Sequence, residues 1–395
     1  MPWKELKPMD EKLLFVSEHL RDSQTFSALC ARYGISRRTG YKWVDRYQAE
    51  GAAGLLERSR RPREHPDQVP ADVCRAILEL RGRGRTEIGP KKIQALLRER
   101  LGGAAVPCRT TIYKILKQAG RIVPRRARRR VPLAGRPLRD AHQPNALWSA
   151  DFKGQFLTGD GQWCYPLTIM DHASRYLLAC RGLASTRTQT ARLVFEQVFR
   201  EYGLPERLRT DNGVPFASLG RGGLSKLSVW WIRLGIVPER IAPGHPEQNG
   251  RHERMHRTLK RAVARPAAAN AQAQQQRFNR FSRGYNTERP HEALSQRRPG
   301  DVYAPSTQPY PARLPELVYP SYMQTHKVCD SGVMYWRARR IYIGHVLAQE
   351  QVGLEQIDDT LWDVWFGPVR LGSFDERDTR LGDDYLTIKK CYPCS

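Results

Sequence analysis

Acidic residues at three points of the chain have the surroundings that a metal-dependent phosphoryl-transfer site needs. Asp151 lies between apolar neighbours in WSADF, which predicts a core strand, and Asp211 follows RLRT, where another predicted strand ends. Carboxylate oxygens are ligands that Mg²⁺ prefers, and two such ions about 4 Å apart activate the attacking oxygen and stabilise the leaving one. A third carboxylate is then needed, and the stretch HPEQNGRHERMHRTLK offers Glu247 and Glu253.

Helix geometry favours Glu253 as the third acid. In a helix through this stretch, Glu253, His256, Arg257 and Lys260 share one face, because they are spaced by three, four and seven residues. Such a face offers one metal ligand and, beyond it, the cations Arg257 and Lys260 for a DNA backbone. Glu247 would lie in the first turn, where the helix dipole alone accounts for an acid. A plain ion pair with Arg257 is the competing interpretation of Glu253.

Other polar residues near these acids favour simpler roles. Asp171, in MDHASRY, is expected to hold a strand end or a turn. His172, His252 and His256 are possible metal ligands, but we expect histidines in this context to be surface or DNA-facing residues.

The segments that must position the acids predict a mixed sheet. Three strands in quick succession, in LWSADFKGQFLT, WCYPLTIMDHAS and RYLLACRGLA, are typical of an antiparallel meander. An amphipathic helix follows in TQTARLVFEQVFREYG, and ERLRTDNG and LGIVPERI each predict a further strand. Strands separated by helices in this way favour a sheet with helices on both faces.

Two helix-turn-helix units are predicted before the sheet. In the first, the turn YGIS leads through the N-cap Ser36 into a helix expected to bury Tyr41, Trp43, Val44 and Tyr47. The second, from ADVCRAILEL to CRTTIYKILKQAG, repeats the arrangement. An ordinary helical bundle is the alternative. The start of a recognition helix reaches base edges, so the candidate DNA contacts are Arg37, Arg38, Thr39, Lys42, Arg109 and Thr110.

The net charge indicates a polyanionic partner. The chain has 66 Lys and Arg against 40 Asp and Glu, a formal charge of +26, and each neutralised phosphate releases condensed counterions. A GC-rich genome would explain part of the arginine excess but not clusters such as RRARRR. The basic, proline-rich linker that contains this cluster offers further phosphate or minor-groove contacts, namely Arg125, Arg126, Arg128, Arg129 and Arg130.

The tail and the cysteines are less informative. Short alternating strands with Gly and Asp turns, from about residue 310, predict a small β-barrel. The eight cysteines are scattered, and Cys391 and Cys394 form a CxxC with no second pair nearby, so we expect reduced thiols instead of a zinc site. Apolar stretches are far too short to cross a bilayer, and the N-terminus has no secretory signal pattern, so a cytoplasmic location is expected.

The motifs WSADFKG, TIMDHASRY, RTDNGVPF, HPEQNGRHERMHRTLK and YNTERPHEAL, in this order, resemble the integrase core of retroviruses and of bacterial DDE-type insertion-sequence transposases. The resemblance covers roughly residues 139–303. It implies an RNase H-like fold and an Asp, Asp, Glu triad with Mg²⁺ or Mn²⁺. It also implies that water cuts DNA ends and that the freed 3′-hydroxyl attacks target DNA. The zinc-binding domain of retroviral integrases is missing from the sequence, and the helix-turn-helix units stand in its place.

The first two acids of the triad correspond to Asp151 and Asp211, but the resemblance leaves two choices for the third. Counting the usual gap of 35 residues after Asp211 reaches Glu247. Aligning the motif before the basic helix reaches Glu253, which we prefer because SLGRGGLSKLSVWW looks like a small insertion in the intervening loop.

We therefore expect a multidomain α and α/β protein in five segments. These are a helix-turn-helix domain (1–60), a second one (61–123), a basic linker (124–138), an RNase H-like integrase core (139–303) and a β-barrel tail (310–395). The expected function is that of a transposase that uses two Mg²⁺ or Mn²⁺ ions. It is expected to act as a homo-oligomer on double-stranded DNA, namely transposon ends and target. The expected location is the nucleoid of a bacterium, and no membrane partner is expected. The alternatives are a domesticated, inactive DNA-binding regulator and a nonspecific nuclease, which would have no use for helix-turn-helix units.

Overall fold

The computed structural model describes most of the chain in two compact units, Met1–Val69 and Pro70–Ser395. The described residues are 8–58, 68–82, 88–102, 106–122, 141–242, 245–264, 266–337, 339–378 and 385–389. The five arginines predicted as linker contacts, Arg125, Arg126, Arg128, Arg129 and Arg130, lie outside them, as do Cys391 and Cys394. The domain boundaries given above stay a prediction.

The first unit contains three helices, α1 (Pro8–Leu20), α2 (Phe26–Arg32) and α3 (Arg37–Glu50). Ser36 caps α3, since its hydroxyl accepts a hydrogen bond from the Thr39 backbone N–H at 3.2 Å. Trp43 and Val44 are buried as expected, but Tyr41 is 53% exposed. The prediction for Tyr41 is therefore wrong, because its ring stacks on the outside of Phe26, with centroids 4.1 Å apart.

A second set of three helices opens the other unit, with α4 (Ala71–Gly82), α5 (Pro90–Leu101) and α6 (Arg109–Gln118). Pro90 is the first residue of α5, where its missing N–H costs nothing. Gly102 ends that helix in the left-handed conformation, with φ of 64°. Two ion pairs, Lys91 with Glu292 and Arg298 with Glu99, join these helices to the domain that follows.

The central sheet is mixed, which confirms the predicted fold class. Its strand order is β2-β3-β1-β5-β6, with β4 on the other side of β3. The first four strands pair antiparallel, whereas β5 and β6 are parallel to β1. The strands are β1 (Trp148–Phe152), β2 (Phe156–Leu157), β3 (Trp163–Asp171), β4 (Leu177–Leu183), β5 (Arg207–Thr210) and β6 (Val237–Arg240).

Helices cover both faces of this sheet. The helices α7 (Thr188–Tyr202) and α8 (Lys226–Arg233) pack on one face around an aromatic core. The helices α9 (Gly250–Leu259) and α10 (Ala271–Thr287) pack on the other. Successive strand residues point to opposite faces, so Trp148 and Ala150 of β1 join the α7–α8 core while Ser149, between them, faces α9.

The tail is rich in β-structure, as predicted, but its strands form two small sheets around one core. Within the described residues, no ladder joins the two sheets into a continuous barrel. Val229 and Ile232 of α8 are part of the same core, so the tail is packed against the central domain. The strands are β7 (Gln324–Lys327), β8 (Val333–Trp336), β9 (Arg339–Tyr342), β10 (Gln351–Gln356), β11 (Leu361–Phe366), β12 (Val369–Asp375) and β13 (Tyr385–Leu386).

Two further observations concern the described part of the chain. No helix in it is both long enough and apolar enough to cross a membrane. The cysteines in it are free thiols: Cys30, Cys74, Cys108, Cys164, Cys180 and Cys329.

Candidate active site

Neighbouring elements bring the predicted acids to one edge of the sheet. Asp151 is in β1, and Asp211 is the first residue after β5, which is the parallel neighbour of β1. Because parallel strands end at the same edge, the two side chains lie at the carboxyl end of the sheet. Glu253 lies in the first turn of α9 and is exposed.

The electrostatics of Asp151 couple it to the other two predicted acids. The pKa of Asp151 is raised to about 7. Burial is the largest cause, and the negative charges of Asp211 and, more weakly, Glu253 also contribute. Lys153 acts in the opposite direction. Such mutual repulsion between acids is the condition that a divalent cation relieves. The donor set, three carboxylates with hard oxygen atoms, therefore fits Mg²⁺.

The two candidate glutamates differ in what the structure describes. Glu247 falls in the short helical turn Pro246–Asn249, and its side chain lies outside the described part. Among the described residues no ion pair joins Glu253 to Arg257, so the competing interpretation of Glu253 gains no support. The choice of Glu253 over Glu247 as the third ligand stays a prediction.

The histidines were expected at the surface, and this expectation is wrong. His172, His252 and His256 are all buried, with at most 2% of each residue exposed. His252 and His256 point from α9 into the sheet beneath Asp151, and Nδ1 of His256 lies 3.4 Å from Asp151 Oδ2. Burial lowers the pKa of His252 to about 3 and also lowers that of His256, so both imidazoles are neutral.

A buried arginine that the sequence analysis missed supports the loop before α9. Arg209, in β5, forms an ion pair with Glu239, with N–O distances of 2.6 and 2.9 Å. Its Nη1 also donates to the main-chain oxygen of Gln248 at 3.0 Å, and the Gln248 side chain accepts from the Ala242 N–H at 2.7 Å. An arginine at a buried position of a predicted strand, as in RLRT, is the signal that would have indicated this contact.

Asp171 has the structural role that was expected of it. Its carboxylate accepts hydrogen bonds from the N–H groups of Asn145 and Ser174, at 2.8 and 2.7 Å, and from the Ser174 hydroxyl. It therefore fixes the turn that follows β3 and is not part of the acidic cluster.

The candidate DNA contacts that the structure describes are on the surface. Arg257 is exposed on α9 beyond Glu253, and Lys260, the residue that follows α9, is exposed as well. Five of the others are exposed at the starts of α3 and α6, whereas Thr39 is half-buried; the five are Arg37, Arg38, Lys42, Arg109 and Thr110. These positions are compatible with groove or phosphate contacts, which stay a prediction.

Comparison with known protein families assigns the central domain. The family described as Integrase core domain matches residues 141–246, and a second family of the same description matches residues 234–299. The chain contains an integrase core domain. Helix-turn-helix domains precede this core, since a Helix-turn-helix domain family matches residues 11–63 and a Homeodomain-like domain family matches residues 39–116.

The curated relatives of this integrase-core protein include retroviral polyproteins. A Pol polyprotein of Radiation murine leukemia virus (strain Kaplan) is 29% identical over 124 residues, which are 31% of this chain and 20% of the polyprotein. A Gag-Pol polyprotein of Baboon endogenous virus (strain M7) is 26% identical over 182 residues, 46% of this chain and 10% of that polyprotein. The chain thus spans at most a fifth of the length of these relatives.

Solved structures with some similarity include two from retroviruses. The simian T-cell lymphotropic virus intasome, in complex with PP2A regulatory subunit B56 gamma, is 17% identical with a TM-score of 0.36, covering 70% of this chain and 93% of that one. The HTLV-2 integrase catalytic core domain in complex with magnesium is 15% identical with a TM-score of 0.31, covering 43% of this chain and all of that one.

Proposed function

We propose that this protein is a DDE-type DNA transposase that binds transposon ends and catalyses their cleavage and strand transfer. The observation that carries the proposal is that Asp151 in β1 is coupled to both Asp211 and Glu253, whose charges add to its raised pKa. A domain described as an integrase core, preceded by helix-turn-helix domains, is compatible with this activity.

The three acids would hold two Mg²⁺ or Mn²⁺ ions, with Asp151 and Asp211 supplying ligands from adjacent strands and Glu253 from α9. When bound, the ions activate the attacking oxygen and neutralise charge on the leaving one. In the first step water attacks the scissile phosphorus and the bond to the 3′-oxygen breaks. In the second step the oxygen of the freed 3′-hydroxyl attacks a target phosphorus and forms a bond to it. The bond between that phosphorus and the target 3′-oxygen breaks, which leaves a free 3′-hydroxyl on the target strand.

The remaining residues bind and orient the DNA. Arg257, one turn beyond Glu253 on α9, and Lys260, just past the end of α9, would hold backbone phosphates next to the acids. The starts of α3 and α6 would read the transposon end in the major groove. Because two ends are joined to one target, we infer that at least two copies assemble on the DNA. We place this assembly on the nucleoid, in a bacterial cytoplasm.

The test is an assay with purified protein and a duplex that carries the DNA flanking its gene, in Mg²⁺, with products separated on denaturing gels. Removing one metal ligand costs several kcal/mol of transition-state stabilisation, so Glu253→Gln should lower cleavage and strand transfer by about 10³-fold. Glu247→Gln is the matched control and should stay close to wild type.

Loss with Glu247→Gln alone would show that the third ligand had been misassigned. A wild type that binds the duplex but neither cuts nor joins it would contradict the transposase proposal and favour the DNA-binding regulator. Cleavage of unrelated duplexes at the same rate, without strand transfer, would favour a nonspecific nuclease.

A further inference from the structure

A hydrogen-bonded cluster lies directly beneath Asp151, and its four side chains come from three elements. Ser149 belongs to β1, Thr168 to β3, and His252 and His256 to α9; none of the four is more than 1% exposed. Nδ1 of His252 lies 2.8 Å from the Ser149 hydroxyl, and its Nε2 lies 2.7 Å from the Thr168 hydroxyl. Nε2 of His256 lies 2.6 Å from the same Thr168 hydroxyl.

The hydroxyl of Thr168 is the centre of this cluster, and its hydrogen-bonding capacity is filled. A hydroxyl has one hydrogen to donate and two lone pairs. Thr168 Oγ1 donates to the main-chain oxygen of Asp151 at 3.0 Å, since that oxygen can only accept. It therefore accepts from Nε2–H of both His252 and His256. His252 Nδ1 then accepts from the Ser149 hydroxyl.

The cluster connects the carriers of two candidate metal ligands. Thr168 lies opposite Asp151 in the β1–β3 ladder and holds its main-chain oxygen, while His256 faces its carboxylate. On the other side, His252 immediately precedes Glu253 in α9. Because buried hydrogen bonds fix both the distance and the rotation between elements, the cluster sets how the helix with Glu253 lies against the strand with Asp151.

A transition-metal site is the alternative role for this cluster, because the ligand atoms of Asp151, His252 and His256 all lie within 4.8 Å of one another. Such a group has the composition of a transition-metal site. However, both ring nitrogens of His252 already face hydroxyl groups, and so does Nε2 of His256. A histidine that binds a metal uses one nitrogen for the ion and the other for a supporting partner, and His252 has no nitrogen left for an ion.

We propose that His252 and His256, held by Thr168, are positioning residues that set the helix of Glu253 against the strand of Asp151 for metal binding, and that His252 is not a metal ligand. This inference rests on the proposed function, since it assigns the cluster a task in the same site. It predicts that a residue which touches neither metal nor DNA, Thr168, controls metal affinity.

The experiment uses the full chain and Mg²⁺ titrations followed by calorimetry, without DNA. Thr168→Val keeps the shape of the side chain but removes the hydroxyl, and should weaken Mg²⁺ binding by about 10-fold or more, as the loss of supporting groups does at metal sites. Thr168→Ser retains the hydroxyl and should restore nearly wild-type affinity. Ile169→Val, the next residue of β3 on the opposite face, is the packing control and should leave Mg²⁺ affinity unchanged.

Should Thr168→Val fail to fold, Ser149→Ala, which removes only one hydrogen bond of His252, provides the same comparison with a smaller expected loss. Wild-type Mg²⁺ affinity in folded Thr168→Val would overturn the proposal. So would Zn²⁺ or Co²⁺ binding to the wild type that disappears in His252→Gln, because His252 would then be a ligand. A protein whose Mg²⁺ affinity depends on Thr168 but which cuts no DNA would refute the transposase proposal alone, whereas a transposase insensitive to Thr168 would refute this one alone.

Discussion

On one face of the central sheet, Trp148 packs with Phe199 and Trp231 in an apolar core built from α7 and α8. On the other face, Ser149 and Asp151 of β1 meet the imidazoles of α9. The same strand thus contributes apolar packing to one side and hydrogen bonds to the other. Packing is non-directional and tolerates small shifts, whereas hydrogen bonds fix distances and angles. We infer that the first face supplies stability and the second supplies geometry for chemistry.

The sharpest way to break this comparison is to remove a large side chain from the apolar face. Phe199 is fully buried and lies against Trp148, Phe195 and Trp230. Phe199→Ala should lower the free energy of unfolding by about 3–5 kcal/mol, because it creates a cavity. Denaturant unfolding checks this, with Phe199→Leu as a milder control. The Mg²⁺ affinity of the folded fraction should not change, and a parallel loss of affinity would show that the two faces are not separable.

The polar face should make the stability of the fold depend on pH. The pKa of Asp151 is about 7 in the folded protein against an ordinary value of 3.8. The folded state therefore keeps a proton that the unfolded chain releases, so Asp151 destabilises the fold increasingly as the pH rises from about 4 to about 7, and fully above that. Relative to Asp151→Asn, which cannot ionise, the metal-free wild type should lose melting temperature between pH 5 and pH 8.

Adding Mg²⁺ sharpens the same measurement. The cation relieves the repulsion among the acids, so it should raise the melting temperature of the wild type more at pH 8 than at pH 5. Asp151→Asn should show a much smaller gain. An equal gain at both pH values, or in both proteins, would contradict the assignment of the metal to this acidic cluster.

The smallest expected effect concerns the exposed cations beyond Glu253. Arg257→Gln or Lys260→Gln should weaken duplex binding about equally for all sequences, because each removes one phosphate contact. Each should also reduce the slope of log affinity against log salt concentration by roughly one. Titrations of labelled duplex at several salt concentrations measure this. Arg200→Gln, on α7 of the apolar face, is the matched control, and an equal effect there would mean that the change reflects net charge alone.

Local patterns in the sequence accounted for much of the fold. The N-cap at Ser36, the helix start at Pro90, the strand that contains Asp151 and the strand that ends just before Asp211 are all found where they were predicted. These features depend on neighbours a few residues away, so a short window contains the information. The prediction for Tyr41 failed because helical spacing does not show which turn of a helix lies at the edge of its core.

The burial of the α9 histidines and of Arg209 could not be predicted from short sequence windows. His252 and His256 resembled surface residues because their stretch is crowded with arginine and lysine, yet hydroxyl partners more than 80 positions away keep both of them buried. Arg209 is buried because Glu239 and the Gln248 main chain satisfy it. Burial of a polar group depends on partners that arrive from distant segments, and no local pattern identifies them.

The sequence by itself determined that β1 has two chemically different faces, since strict alternation in WSADF separates Trp148 and Ala150 from Ser149 and Asp151. It also determined which carboxylates were available and that α9 would be basic on its outer side. Only the tertiary structure decided that the inner side of α9 meets β1 and β3 through two neutral histidines. The reason is physical: alternation depends on the geometry of one strand, whereas a hydrogen-bonded contact requires two elements at a fixed distance and rotation.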